Sequence, residues 1–126
     1  MTPTFFLLFS GTISLFIGIL GILQAGFLPY FWFDFPENLV HTGFGALALW
    51  AARRASMAFQ RQFVLWTSLL AFVIGVLGVV VQDQPSPNFF GITNLEHPLD
   101  NALHLTFGIV GLWASVSGKG KGHGIA

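Results

Sequence analysis

Long stretches without any charged residue dominate this sequence. Asp, Glu, Lys and Arg are absent from positions 1–33, 38–52, 62–82 and 101–118. A helix rises about 1.5 Å per residue and the hydrocarbon core of a bilayer is about 30 Å thick, so roughly 20 apolar residues span it. The shorter second and fourth stretches reach this length by including flanking charged residues that snorkel to the interface. The predicted transmembrane helices lie at approximately 5–28, 36–56, 62–82 and 98–117.

The composition favours a membrane protein and excludes several other classes. Of the 126 residues, 54% are hydrophobic and only 8% are charged, with a mean hydropathy of +0.74, whereas soluble domains are about a quarter charged. Five basic and five acidic residues give zero net charge, which leaves no basic field for nucleic acid and no charge excess typical of disorder. The absence of cysteine excludes disulfides, thiolate metal sites and cysteine nucleophiles.

We therefore predict an all-α membrane protein, a four-helix up-down bundle that forms one domain over residues 1–126, with a flexible tail at 118–126. A cleaved signal peptide is the alternative for the first stretch, but its apolar run is too long and no basic residue precedes it. A soluble protein is disfavoured because four such stretches leave little polar surface to cover them.

The charged residues predict an orientation. All basic residues fall on one side of the predicted membrane: Arg53, Arg54, Arg61, Lys119 and Lys121. By the positive-inside rule this side is cytoplasmic, so both termini lie inside. All acidic residues fall on the other side: Asp34, Glu37, Asp83, Glu96 and Asp100. Interfacial aromatic belts are predicted at the inner ends, from Trp50, Trp66 and Trp113, and at the outer end of the first helix, from Tyr30, Phe31, Trp32 and Phe33.

An internal repeat relates the first half of the chain to the second. Residues 17–22 (IGILGI) match residues 74–79 (IGVLGV) at an offset of 57, and residues 37–41 (ENLVH) match residues 100–104 (DNALH) at an offset of 63. Two helical hairpins, at approximately 5–56 and 62–117, are thus predicted to be related by a pseudo-two-fold axis along the membrane normal, as in parallel repeats.

The repeat carries the motif Asn-x-x-His-x-x-x-Gly twice, at Asn38, His41 and Gly45 and at Asn101, His104 and Gly108. With this motif the chain resembles a bacterial family of small four-helix integral membrane proteins catalogued as a domain of unknown function. The resemblance covers nearly the whole chain. It implies this fold and a bacterial cell membrane, or a thylakoid-type inner membrane, and it implies no particular activity.

Stripes of small or polar residues at helical spacing run along all four helices. They are Ser14, Gly18, Gly21 and Ala25; His41, Gly45, Ala48 and Ala52; Ala71, Gly75, Gly78 and Gln82; and His104, Gly108, Gly111 and Ser115. Small residues let helix backbones approach closely where lipid removes the hydrophobic drive. The stripes therefore predict tight helix packing.

His41 and His104 are the ionisable residues predicted to lie within the membrane, where such residues are often functional. Each follows an acid by four residues, Glu37 or Asp100, so that imidazole and carboxylate share one helix face. The acids and the asparagines after them also stand where helix N-termini favour acceptors and negative charge. The favoured interpretation is a non-enzymatic structural or interaction subunit with a His-centred polar network near the outer face. Its predicted partners are the lipid bilayer, other membrane-protein subunits or further copies of the chain, and no nucleic acid.

Two alternatives assign a cofactor to the same residues, so the cofactor is left open. Helices two and four lie diagonally in an up-down bundle, so His41 and His104 can supply axial nitrogens to a haem or ligands to chlorophyll-type pigments. Gly45 and Gly108 would leave room for the macrocycle, and the chain would be an accessory subunit of an electron-transfer or photosynthetic complex. The metal alternative places four ligands around zinc or iron: Glu37, His41, Asp100 and His104.

The outer loop from Gln82 to Pro98 is long and carries the pair Phe89 and Phe90. It is long enough to return to the membrane interface or to dock a partner. The remaining histidines, His97 in this loop and His123 in the tail, are predicted to be solvated.

Overall fold

A computed structural model describes residues 1–23, 35–85, 87–93, 95 and 98–117. Over these ranges the protein is all-helical, as predicted, and its only extended pairing is an isolated bridge between Phe89 and Thr93. The helices are α1 (Pro3–Ile22), α2 (Phe35–Arg54), α3 (Met57–Val81) and α4 (Pro98–Ser117). Several predicted features lie outside the described residues: Ala25, the aromatic residues 30–33, Asp34, Glu96, His97 and the tail 118–126 with Lys119, Lys121 and His123.

The start of α3 differs from the prediction because a capping residue, and not charge, determines it. The helix begins at Met57 and not near residue 62. The Ser56 hydroxyl accepts a hydrogen bond from the Phe59 N–H at 3.3 Å, which stabilises a helix start at this position. Arg61, which the prediction placed between helices, therefore lies inside α3.

The start of α1 is set in the same way, whereas its end departs further from the prediction. The Thr2 hydroxyl accepts from the Phe5 N–H at 3.2 Å, and Pro3 occupies the first turn, where proline is favoured. The helix ends at Ile22 and not near residue 28, because apolar composition alone carries no signal for a helix end. The bounds of α2 and α4 agree with the predicted ones to within two residues.

Two of the four helices, α1 and α3, are long and apolar enough to cross a membrane. In an apolar segment of 18 residues in each helix, only 33% of the segment of α1 and 28% of that of α3 are buried inside the protein. The other two helices are each 20 residues long but more polar, because they carry an acid, an asparagine and a histidine in their first two turns. The crossing of a membrane by α2 and α4 stays a prediction.

The helices pack in two hairpins, α1 along α2 and α3 along α4. Within each hairpin a glycine meets the backbone of the partner helix, as the stripes predicted. A Cβ at Gly45 would lie 2.5 Å from the Leu15 nitrogen, and one at Gly108 would lie 2.8 Å from the Phe72 nitrogen. Gly45 and Gly108 are equivalent in the repeat, at the offset of 63, and Leu15 and Phe72 are equivalent at the offset of 57. Both hairpins therefore use the same close contact.

Four phenylalanine side chains, the aromatic cluster, join the two hairpins. Ring centroids lie 4.8 Å apart for Phe6 and Phe107, 6.0 Å for Phe44 and Phe63, and 5.7 Å for Phe44 and Phe107. The repeat offsets relate Phe6 to Phe63 and Phe44 to Phe107, so the first two contacts are equivalent. The buried core beside the cluster consists of Leu7, Ala48, Ala51, Val64 and Ala114.

Gln60 links three helices at the end of the bundle where α1 and α3 begin. Its side chain is buried, and Oε1 accepts a hydrogen bond from the Thr4 hydroxyl at 2.6 Å. Nε2 donates to the carbonyl of Ala55 at 3.1 Å and to that of Ala52 at 3.4 Å. The last carbonyls of a helix lack partners within it, so a side chain of α3 satisfies the C-terminal end of α2.

Candidate functional site

His41 and His104 lie next to each other near the end of the bundle where α2 and α4 begin. Their ring centroids are 6.0 Å apart and the ring planes are inclined by 53°. Each is the seventh residue of its helix, so both lie at the same level, about 9 Å along the axis from the helix start. Both residues are half-buried.

Ser14 of α1 orients the ring of His41. The Ser14 hydroxyl oxygen lies 2.9 Å from His41 Nδ1 and 3.1 Å from the His41 backbone oxygen. Because a hydroxyl carries one proton, both contacts are hydrogen bonds only when it donates to the carbonyl and accepts from Nδ1–H. This arrangement requires a proton on Nδ1, and it joins α1 to α2 through the His41 ring.

Asp100, one turn earlier in the same helix, holds the ring of His104. His104 Nδ1 lies 3.2 Å from Asp100 Oδ1 and 3.0 Å from the Asp100 backbone oxygen. Both oxygens are acceptors, so Nδ1 carries a proton and donates. The carboxylate is buried, and the His104 side chain is 19% exposed. The predicted pairing of acid and histidine on one helix face is confirmed for these two residues.

The two histidines have different partners although they occupy equivalent positions in the repeat. The residue of the second hairpin that corresponds to Ser14 is Ala71, which is buried and has no hydroxyl. His104 therefore takes its partner from its own helix. The small-residue spacing marks Ser14 only as part of a packing stripe, so this role was not predicted; the signal for it is the difference between Ser14 and Ala71 in the two stripes.

Removal of this hydroxyl in Ser14→Ala is expected to lower the free energy of unfolding by about 0.6–1.7 kcal/mol, the range for hydrogen bonds between membrane helices. The value is measured by SDS-induced unfolding in mixed micelles. Ser117→Ala is the matched control, because that exposed hydroxyl bonds to the Trp113 carbonyl of its own helix, and its stability is expected to be unchanged. Equal losses in both variants would contradict an interhelical role for Ser14.

Each of the two acids, Glu37 and Asp100, interacts electrostatically with the histidine of the other hairpin. Glu37 lies in the first turn of α2, as Asp100 does in α4, where the helix dipole favours negative charge. The Glu37 carboxylate interacts electrostatically with His104, and that of Asp100 interacts with His41. His41 and His104 thus meet across the interface between the hairpins, and each acid interacts electrostatically with the histidine of the other hairpin.

Asn38 and Asn101, predicted as acceptors at helix starts, are buried against the partner helix of their own hairpin. A Cβ on Gly21 would overlap the Asn38 amide oxygen, and one on Gly78 would overlap that of Asn101. A Cα–H group of each glycine thus points at an amide oxygen within reach of a weak C–H···O bond. Asn101 also donates from Nδ2 to the carbonyl of Leu95 at 3.4 Å, which ties the outer loop to α4.

Gly45 and Gly108, which were expected to leave room for a macrocycle, also face the partner helix of their own hairpin. Backbone atoms of Leu15 and Phe72 fill the space beside them. The aromatic cluster occupies the bundle core one turn further inward, since Phe44 and Phe107 each follow their histidine by three residues. The two glycines therefore supply close helix contact and not a cavity.

The four proposed metal ligands do not converge on one point. Over the described ranges the structure contains no group of three or more His, Asp or Glu side chains that could hold a metal ion. Protein zinc sites use three or four such ligands. The geometry of Glu37, His41, Asp100 and His104 therefore gives the metal alternative no support.

Comparison with known proteins gives no match, whether with protein-family models, curated proteins or solved structures. The resemblance to a family of small four-helix membrane proteins through the repeated Asn-x-x-His-x-x-x-Gly motif therefore stays a prediction.

Proposed function

We propose that the chain is a four-span integral membrane protein that serves as a non-enzymatic structural or interaction subunit in a bacterial cell membrane. One observation carries the membrane assignment: all four helices expose large apolar side chains. Each helix provides an example: Phe16 (60%), Val40 (67%), Leu70 (60%) and Ile109 (57%). Soluble monomers rarely expose apolar patches of more than a few hundred Å², whereas lipid tails cover such a surface.

The proposed orientation has both termini in the cytoplasm. Arg53 and Arg54 end α2 on this side, in agreement with the positive-inside rule. Trp50, Trp66 and Trp113 are all more than half exposed, which supports their assignment to an aromatic belt in contact with lipid.

The structural role rests on how the two histidines are connected. A hydrogen bond from the His41 ring to Ser14 links α2 to α1. The carboxylates of Glu37 and Asp100 interact electrostatically with the histidine of the other hairpin. The hydrogen bond of Ser14 joins α1 to α2 within the first hairpin, and such a bond favours one helix register in a membrane, where a wrong register leaves polar groups in hydrocarbon. The contact of the two histidine rings, together with the electrostatic interaction of each acid with the histidine of the other hairpin, is proposed to hold the two hairpins in one arrangement at their outer ends.

Membrane fractionation tests the location. The tagged protein is expected in the membrane pellet and is expected to stay there after an alkaline carbonate wash, which strips peripheral proteins. Release into the supernatant by this wash would contradict the proposed spans.

A tetrapyrrole-binding accessory subunit is the second candidate, and the 6.0 Å separation of the His41 and His104 rings favours it. The filled space beside Gly45 and Gly108 opposes it. An absorption spectrum of the detergent-purified protein separates the two proposals. A Soret band that is lost in both His41→Ala and His104→Ala would overturn the structural role.

The structural role predicts a different result for His104→Leu. This variant is expected to lose about 1 kcal/mol of unfolding free energy, because the buried Asp100 carboxylate loses its hydrogen-bond donor, with an unchanged absorption spectrum. The free energy is measured by SDS-induced unfolding. An unchanged free energy of unfolding in His104→Leu would contradict the structural role of this side chain.

A further inference from the structure

The outer loop between α3 and α4 has a well-fixed base. Asn88 Nδ2 donates to the carbonyl of Val81, the last residue of α3, at 3.1 Å, and the Leu95 N–H donates to Asn88 Oδ1 at 2.8 Å. Leu95 is buried, with 3% of its surface exposed, and its carbonyl accepts from Asn101 of α4. The loop is therefore tied to both helices that it connects.

The tip of this loop presents two apolar side chains away from the protein. A bridge between Phe89 and Thr93 closes the tip, in which the Phe89 N–H donates to the Thr93 carbonyl at 3.0 Å. Phe90 is 83% exposed and has φ of 51°, and Ile92 is 68% exposed. The left-handed region is rarely adopted by a bulky residue. The fold thus holds Phe90 in an unfavourable backbone conformation, in which its ring contacts the Phe89 ring edge-on, with centroids 4.7 Å apart, and stays exposed over most of its surface.

We infer that Phe90 and Ile92 insert into the interfacial region of the outer leaflet, so that the loop anchors the outer end of the bundle in lipid. This inference rests on the proposed membrane location. The loop joins the outer ends of two helices, which puts its base at the level of the membrane surface. Burial of exposed apolar side chains in the interface is favourable, and aromatic rings are preferred at this depth.

Two features identify lipid as the occupant. Residues 84–95 contain no charged side chain, so entry of the tip into the interface requires no desolvation of a charge. The ends of the two helices that the loop joins also expose apolar side chains, Val80 (69% exposed) and Leu99 (46% exposed). The same lipid layer that covers these side chains can therefore cover Phe90 and Ile92.

Nitroxide labelling tests this inference directly, because the chain has no native cysteine. Single variants Phe90→Cys and Ile92→Cys are spin-labelled in phospholipid nanodiscs, and the collision rates of each label with oxygen and with a water-soluble nickel chelate are compared. Leu70→Cys, on the exposed face of α3, is the control for lipid, and Gln84→Cys, exposed in the loop just after α3, is the control for water. Helix content by circular dichroism verifies that each variant is folded.

Insertion predicts that oxygen collides with the labels at Phe90 and Ile92 more often than the nickel chelate does, as at Leu70, with the reverse ratio at Gln84. A ratio like that of Gln84 at both tip positions would overturn the inference. Protection from both reagents would overturn it as well, since it would indicate a protein partner or a second copy of the chain. A water-like ratio at Leu70 would instead contradict the proposed membrane location.

Discussion

Phe107→Ala is expected to lower the free energy of unfolding by about 3 kcal/mol, the lower end of the range for Phe-to-Ala changes in a core, because the ring is half-buried. The centroid of this ring lies 4.8 Å from that of Phe6 and 5.7 Å from that of Phe44. Removal of the ring therefore leaves a cavity between the two hairpins. Neighbouring side chains in a close-packed interior can move only partly into such a cavity, so the lost contacts are not replaced. The free energy is measured by SDS-induced unfolding in mixed micelles.

Phe9→Ala is the matched control for this change. The same side chain is removed from α1, but Phe9 is 59% exposed and lies on the face proposed to contact lipid. Its loss is expected to change stability by about 0.5 kcal/mol or less, as for most surface substitutions. Similar losses in Phe9→Ala and Phe107→Ala would contradict a specific role of the aromatic cluster in joining the hairpins.

Gly108→Ala is expected to destabilise the protein by about 1–3 kcal/mol, the cost of overpacking a close contact. The added methyl group would lie 2.7 Å from Phe72 Cβ and 2.8 Å from the Phe72 nitrogen and Cα. Backbone atoms cannot rotate away as the end of a flexible side chain can, so α3 and α4 have to separate. Thermal unfolding in detergent, followed by circular dichroism, measures the effect as a lower Tm.

Gly43→Ala tests the same substitution at a site without neighbours. Gly43 lies in α2, and a Cβ there meets no other atom within 4 Å. Alanine favours a helix over glycine by up to about 1 kcal/mol, so this variant is expected to be as stable as the parent or slightly more stable. A loss equal to that of Gly108→Ala would indicate that helix propensity, and not close packing, determines the effect.

The positions of the helices and the meeting of the two histidines could be predicted from the sequence. The uncharged stretches fix four helices, and the bounds predicted for α4 agree with Pro98–Ser117. The repeat places His41 and His104 at one level, because equivalent residues of two similar hairpins lie at similar heights. Spacing within one helix also predicts the contact of Asp100 with His104, since residues four apart share a face.

Contacts between helices could not be predicted in the same way. The rotation of each helix about its axis depends on how bulky residues such as Leu15 pack against glycines such as Gly45, and spacing along one helix does not encode this rotation. For this reason the sequence did not reveal that Ser14 reaches His41. Hydropathy likewise gave no indication that Ser56 caps α3, so the start of this helix was placed too late.

The central claim is that all four helices cross a bilayer, with the histidine pair near the outer face. Labelling of single cysteines in intact and permeabilised bacterial cells with a membrane-impermeant maleimide tests it most directly. Labels at Phe35 and Gln84 are expected to react in intact cells, and labels at Thr2, Arg54 and Ser117 only after permeabilisation. Reaction of Arg54→Cys and Gln84→Cys from the same side of the membrane would contradict the claim.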